Sequence, residues 1–549
     1  MIKLQLLFLP FWKSILNRWR SNNFTRWVIF YLCIIPSFLS AQSYQWAKAV
    51  PTDFIWSYEL LNSQVCYTQN DQVYWVYLSD AMENYGQAFY GSTNLDVYSP
   101  EGVLESSQQI TGKVHVQRFL DAGAGEVYML LYTRGEIVFS DGETLPYNGD
   151  GIEISLVKVS AGLELLWAVD LSSPFAYGNS PALATDDAGN VYAGQNVDFG
   201  SRIIKYDPNG NELMAVDQTD VPLISSIDID SEGNILFAGS CADAGASYGG
   251  VLIEPATLYN YFVGKYNAQF EIQWVNYLED VTCQFPEVKC QDPDYIYFSG
   301  GLFMETVFGN LTVNGPQWVY DFFVAQLNSN GEYQWVHEVP EANTIQGDAF
   351  IGKHNFCAVD ENDNFYWGGF IRGTIDWGNG VVIGANDFGN HMLTLRFNPE
   401  GAITSGKVSM GEGFQEAFSI STGENGDWYV AGSSIYPMSL GEINITTDGT
   451  FPFLTKINAG GTTTGVSDLD EYAHFQIVPN PANNSINFQT DLIYPNAKIS
   501  IFDQTGKSVL ETSQNLNESL DIENLPSGLY FVRIGNSKQT PVLRKIIKF

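Results

Sequence analysis

Basic side chains and histidine are scarce in this 549-residue chain, where 26 Lys and Arg face 62 Asp and Glu and there are only five His. Phosphate neutralisation needs clustered Lys and Arg, so a net charge of −36 speaks against nucleic acid as a partner. It speaks equally against adhesion to anionic lipid. The histidines (His115, His337, His354, His391, His474) show no metal-ligand spacing and no His-Glu-x-x-His. Charged residues make up only 16%, too few for Ala/Glu/Lys-rich helices. The apolar run Trp27–Leu39 is thirteen residues long, short of the roughly 20 that span a bilayer. What is abundant is 14% aromatics and 51 glycines, the composition of turn-punctuated β structure.

The N-terminus reads as an address. Residues 1–26 carry Lys3, Lys13, Arg18, Arg20 and Arg26 and no acidic residue, and the apolar run then ends at Ser40-Ala41 before Gln42. A basic region, a short apolar core and a small residue at the cut make a secretory signal peptide over 1–41, with a membrane anchor as the alternative. Its removal leaves 62 acidic and 21 basic side chains, a charge of −41, and no membrane span. Five cysteines remain: Cys66, Cys241, Cys283, Cys290 and Cys357. An oxidising compartment permits disulfides, and Cys283 and Cys290 are close enough to close a small loop; the alternative is that all five are buried in strands.

Two landmarks alternate along residues 42–463, the expected repeat domain. One is a turn followed by a short apolar strand, as in Gly189-Asn190-Val191-Tyr192-Ala193-Gly194 and Gly233-Asn234-Ile235-Leu236-Phe237-Ala238-Gly239, with seven copies. The other is an apolar strand, a basic or polar residue and an Asn/Asp/Ser turn, as in Ile204-Lys205-Tyr206-Asp207-Pro208-Asn209-Gly210. Its terminal glycines stand at 102, 162, 210, 331, 401 and 460, with Phe270 in place of the missing one, and a Trp often follows (Trp167, Trp274, Trp335), echoing Trp46. Units of about four short strands cannot bury both faces alone, so they stack, and radial stacking gives a β-propeller of about seven blades. The alternation, best matched at Gly189–Gly194 and Phe262–Trp274, resembles bacterial β-propeller repeats of the SBBP type. That resemblance implies a fold and no agreed activity.

A stretch from Gly460-Gly461-Thr462-Thr463-Thr464-Gly465 to Asp470-Glu471 reads as a flexible acidic linker, assigned to 464–472, and precedes a region of different composition, 473–549, with seven basic and six acidic residues. Alternating strands there predict a small β-sandwich. Its motifs are Val478-Pro479-Asn480-Pro481, Phe502-Asp503-Gln504-Thr505-Gly506-Lys507, Leu525-Pro526-Ser527-Gly528-Leu529-Tyr530 and Arg544-Lys545-Ile546. In this order they resemble the type A C-terminal sorting domain of the type IX secretion system. The resemblance implies the secretion machinery as partner, with Pro479, Asn480, Pro481, Gly506, Lys507, Gly528, Tyr530 and Lys545 forming the sorting motif. It also implies crossing of both membranes and release or display at the cell surface.

Chemistry is harder to find. Gly245-Ala246-Ser247-Tyr248-Gly249 fits the nucleophile-elbow pattern but lies in a loop of a β repeat rather than between strand and helix. Asp228-x-Asp230-x-Glu232 opens like a calcium loop, but its twelfth position is Gly239. No catalytic residue and no cofactor is expected, calcium at that turn being the one candidate. The expected function is a secreted or surface-displayed, non-catalytic binding or adhesion module for an extracellular glycan or protein. The alternatives are a carbohydrate-active propeller enzyme, hydrolase or lyase, and a purely structural surface protein.

Overall fold

The computed structural model describes residues 43–52, 60–85, 88–149, 151–172, 181–280, 282, 284–303, 306–312, 321–339, 347–377, 381–385, 389–458, 476–489, 497–503, 507–536 and 539–549. The expected signal peptide (1–41) and linker (464–472) lie outside them. Residues 44–457 form seven antiparallel four-stranded units, each running from an inner strand A to an outer strand D. Blade 1 begins with Ser63–Tyr67, Val73–Tyr85 and Ala88–Tyr98. The strand Leu104–Gly123 serves two blades: Leu104–Ile110 pairs back onto blade 1, and Val114–Gly123 is the inner strand of blade 2. Blades 3 to 6 span Leu183–Thr219, Leu223–Glu279, Glu287–Glu338 and Asp348–Val408. Blade 7 takes Phe414–Thr422, Trp428–Ile435 and Thr450–Ile457 from one end of the array and its outer strand, Tyr44–Ala49, from the other. The ring is thereby closed, with inner strands packing against the next blade's inner strand all the way round.

The sequence landmarks have a mechanical meaning. Every described C–D hairpin carries a bulge just before its turn, and the left-handed residue of that turn is Gly102, Leu163, Gly210, Phe270, Gly331 or Gly401, with φ from 55° to 84°. A type I turn followed by one left-handed residue is a standard short hairpin and favours glycine. In blade 2 the left-handed residue is Leu163, not the neighbouring Gly162.

Four of these glycines face a tryptophan from the preceding blade. A Cβ on Gly102, Gly210, Gly331 or Gly401 would sit 2.7–2.9 Å from the indole of Trp46, Trp167, Trp274 or Trp335 respectively. Each indole N–H also donates to the same turn, at Pro100 O (2.9 Å), Pro208 O (3.0 Å), Ser329 O (3.1 Å) and Pro399 O (3.0 Å). Outer strand and neighbouring turn are thus clamped at four joints. Where Met214 replaces the tryptophan, the facing turn carries Phe270 instead of glycine.

The C-terminal region is a two-sheet β unit. Gln476–Val478, Ser485–Gln489 and Leu520–Asp521 form one sheet, and Ser508–Gln514, Ala497–Asp503, Gly528–Asn536 and Gln539–Lys548 the other. Ile486, Ile499, Ile501, Val532, Ile534 and Ile546 fill its core, the alternate positions that a period of two requires.

Candidate functional site at the propeller axis

The A–B turns ring one mouth of the axis, and their acidic residues do structural work. Asp186 accepts from the backbone N–H of Ala188 (3.1 Å) and Asn190 (2.9 Å), the Asn190 amide (2.9 Å), the Tyr192 hydroxyl (3.1 Å) and Lys205 Nζ (3.0 Å). Burial pushes its carboxyl up, but the bonds from Asn190 and Lys205 outweigh that and hold it below the usual carboxylate range. Asp360 repeats the arrangement with Asn362 N, Asn364, Tyr366 and Arg396. The Asp of the first landmark and the basic residue of the second are therefore partners across adjacent strands, which explains their recurrence together.

The calcium-like turn is built in the same way. Asp230 is saturated by Glu232 N (3.0 Å), Asn234 N (2.8 Å), the Asn234 amide (2.8 Å) and Lys265 Nζ (3.0 Å). Asp228 accepts from Cys290 N at 2.8 Å and is raised above its ordinary value by burial, while Glu232 is exposed. The three do not converge, and among the described residues no group of three His, Cys, Asp or Glu is placed to hold a metal.

Inside the turns lies a funnel of about 530 Å³. Asp186, Asp187, Asp228 and Glu232 border it on one side, with Lys289, Gln291, Asn355, Ser421 and Thr422 opposite. Its walls include three free, buried thiols, Cys66, Cys290 and Cys357. Burial, then the nearby Asp121, pushes Cys66 up to about 12, and burial likewise raises Cys290 and Cys357, so all three are poor nucleophiles at neutral pH. The loop expected between Cys283 and Cys290 is not formed. Cys290 sits on the inner strand of blade 5, its thiol donating to Asp292 O at 3.2 Å. Cys241 is instead disulfide-bonded, with its partner outside the described residues, where Cys283 also lies. Ser247 of the Gly-x-Ser-x-Gly match lies on a short strand paired with Thr219, away from any strand–turn–helix.

Further along the inner strands the axis is filled by polar groups from several blades. Arg118 of blade 2 reaches Glu287 of blade 5 at 3.1 Å, with only 4% and 1% of the side chains exposed. Its guanidinium also donates to Pro181 O (3.0 Å) and Ser225 O (3.1 Å), binding blades 2, 3, 4 and 5 together. The rings of His115 and His354 lie 5.7 Å apart; burial lowers His115 to about 4 and lowers His354 as well, so both are neutral at pH 7. Burial raises the Glu416 carboxyl of blade 7 to about 7. None of these residues stood out in the sequence. The one available signal was Arg118 itself, a charge beside the apolar pair Phe119-Leu120 in a strand whose other face carries Val114 and Val116.

In the C-terminal unit, the sorting-motif residues gather at one corner of the fold. Pro479, Asn480 and Pro481 are exposed, and Asn480 Oδ1 accepts from Ile547 N at 2.9 Å. Tyr530 is buried with its hydroxyl on Pro526 O at 2.7 Å, and Gly528 lies two residues before it, paired with Lys548. Lys545 pairs with Phe531 in the strand ladder, and exposed Lys507 closes a turn on Asp503 at 3.2 Å. Gly506 lies outside the described residues.

Residues 476–548 match the family of secretion system C-terminal sorting domains. The chain is therefore exported, to the cell surface or beyond it, through the type IX secretion machinery that such a domain addresses. No curated protein matches the sequence. Among solved structures, PorZ, a surface component of the type IX secretion system of Porphyromonas gingivalis, is similar at 11% identity and TM-score 0.26, over 89% of this chain and 70% of that one. The Dos1 propeller is similar at 9% identity and TM-score 0.38, over 77% of this chain and 96% of that one. Prolyl oligopeptidase B from Galerina marginata is similar at 8% identity and TM-score 0.37, over 87% of this chain and 56% of that one. Likenesses so distant fix neither ligand nor activity.

Proposed function

We propose that this exported propeller is a non-catalytic binding module whose ligand enters the axial funnel. The observation that supports it is the state of the rim. Asp186, Asp230 and Asp360 are each committed to a turn and to a cation, so they are unavailable as a general acid or base. A paired-carboxylate mechanism needs two carboxyl groups facing a substrate with their protons free to move. Burial holds the funnel thiols protonated, which disfavours them as nucleophiles. What remains is a concave polar surface of small-molecule size, with Asp187, Glu232, Lys289, Gln291 and Asn355 at its edge.

Carboxylates outnumber cations around the mouth, so it favours an extracellular glycan or protein segment that carries a cationic group. The test is binding of the secreted full-length protein to glycan and peptide arrays, repeated with Asp187→Asn/Glu232→Gln and with Lys289→Glu. Binding to cationic ligands that weakens in the first variant supports the reading. Absence of any ligand, or turnover of one, overturns it.

A further inference from the structure

A second cavity opens away from the axis, at the outer joint between blades 4 and 5. It is a groove of about 400 Å³ lined by Glu232, Asn234, Lys265, Gln273, Trp274, Ser329 and Asn330. Trp274 supplies the little apolar surface the groove has, the rest of the lining being polar. One part of the indole covers Gly331, and its N–H is spent on Ser329 O, so the ring is fixed before any ligand arrives. Around it the polar groups are mostly uncharged. Lys265 is neutralised by Asp230 at 3.0 Å, which leaves Glu232 as the net charge. Gln273 is exposed and donates Nε2 to Glu271 O at 2.9 Å, leaving Oε1 to accept. Asn330 is exposed and offers both donor and acceptor, and Ser329 Oγ donates to Asp294 (2.6 Å) while keeping its lone pairs.

We infer that this groove is a binding subsite for a neutral saccharide. A pyranose has an apolar C–H face and a rim of hydroxyls, each both donor and acceptor. It is therefore matched by a rigid aromatic wall beside amides and hydroxyls of mixed polarity. A nucleotide or other phosphate ligand would need an unpaired cation, and the groove's single lysine is already paired.

The same edge recurs. Gln45-Trp46 and Gln334-Trp335 occupy the equivalent positions at two further joints, and their glutamines are also exposed. Each donates Nε2 to the carbonyl two residues earlier, Ser43 O at 3.3 Å and Glu332 O at 2.9 Å. The glutamine pose is thus a property of the edge rather than an accident of one blade. The clamp explains the tryptophan. It does not explain an exposed glutamine held in one pose at three joints. A polysaccharide long enough to meet two edges would gain by effective concentration.

The groove shares only Glu232 with the funnel, and the variants that test it leave Glu232 in place, so each site can fail alone. The experiment is titration of the secreted full-length protein with cellohexaose, laminarihexaose, maltohexaose and xylohexaose, followed by tryptophan emission and calorimetry. The expected result is a saturable emission change with at least one of the four. Gln273→Ala/Asn330→Ala, both exposed and outside the core, should weaken it about tenfold, the loss of two neutral hydrogen bonds. Trp274→Phe should remove most of the emission change with little loss of melting temperature. No binding by any of the four at millimolar concentration overturns the inference. So does binding that survives the Gln273/Asn330 variant but is lost in Lys289→Glu, which would place the sugar in the funnel.

Discussion

Replacing Gly331 by alanine tests the inter-blade clamp at its tightest point. Two costs arise and can be separated. The backbone stays left-handed at φ 80°, which costs an L-residue about 1–2 kcal/mol. The new Cβ would lie 2.7 Å from Trp274 Cδ2, so the indole must move off its turn and loosen its bond to Ser329 O, an overpacking cost of about 1–3 kcal/mol. The sum is about 2–5 kcal/mol. At about 2.1 cal/mol/K per residue, roughly 400 residues of propeller unfold with an entropy near 0.9 kcal/mol/K, so the melting temperature should fall by about 2–6 °C. The chain contains its own control, because Leu163 and Phe270 hold the same conformation at φ 55° and 62°, and the blade before Phe270 carries Met214 at the strand position that holds tryptophan elsewhere. In a Trp274→Met background, Gly331→Ala should therefore cost only the backbone part, leaving a coupling of about 1–3 kcal/mol between the two positions. Differential scanning calorimetry of the four proteins measures it. A shift below 1 °C in the single variant, or strict additivity in the pair, would refute the clamp.

Breaking the axial ion pair by Arg118→Ala or Glu287→Ala should cost about 3–5 kcal/mol, whereas Arg118→Met/Glu287→Leu should recover most of it, read as urea midpoints. Burial, with Glu338, Asp280 and Asp348 adding to it, raises Asp321 to about 9, so the folded state keeps a proton that the unfolded state has lost between about pH 4 and 9. Stability must fall with rising pH across that window, and Asp321→Asn should flatten that limb and raise the melting temperature at pH 8. His115, lowered to about 4, acts in the opposite sense: its contribution is lost as pH falls from about 6.5 towards 4, and His115→Gln should reduce that acid limb. Truncation after Asp470 removes the sorting domain and should leave the protein in the periplasm; immunoblots of cell fractions that find it secreted would show the tail to be dispensable.

The repeat was legible because its two landmarks carry local constraints. A left-handed turn position asks for glycine, and an Asx turn asks for Asp with Asn four residues on, as at Asp186/Asn190, Asp230/Asn234 and Asp360/Asn364. The tail was legible for the same reason, its motifs lying in turns and at strand starts. The axial residues were not, since Arg118 meets Glu287 across 169 positions of sequence and nothing local marks either one. The pairing of Cys283 with Cys290 failed on similar grounds. Cys290 closes the inner strand Glu287–Cys290 with its thiol free and buried, which nearness in sequence could not foretell. An Asx turn and a calcium loop begin with the same residue types; Gly239 at the twelfth position is one difference legible in the sequence, and Lys265 paired with Asp230 across the neighbouring strand is one that is not.

The outer strand Tyr44–Ala49 also sets a clock. Its register on Phe453–Ile457 joins the two ends of the array, and Ser43 N meets the Asn458 side chain across 415 positions. At synthesis rates of 5–20 residues per second, about 20–80 s pass between the making of this strand and the making of its mate. During that interval no ring can shut, however many blades have emerged. The propeller is therefore complete only once its last blade has been made, and no shorter run of blades can stand in for it.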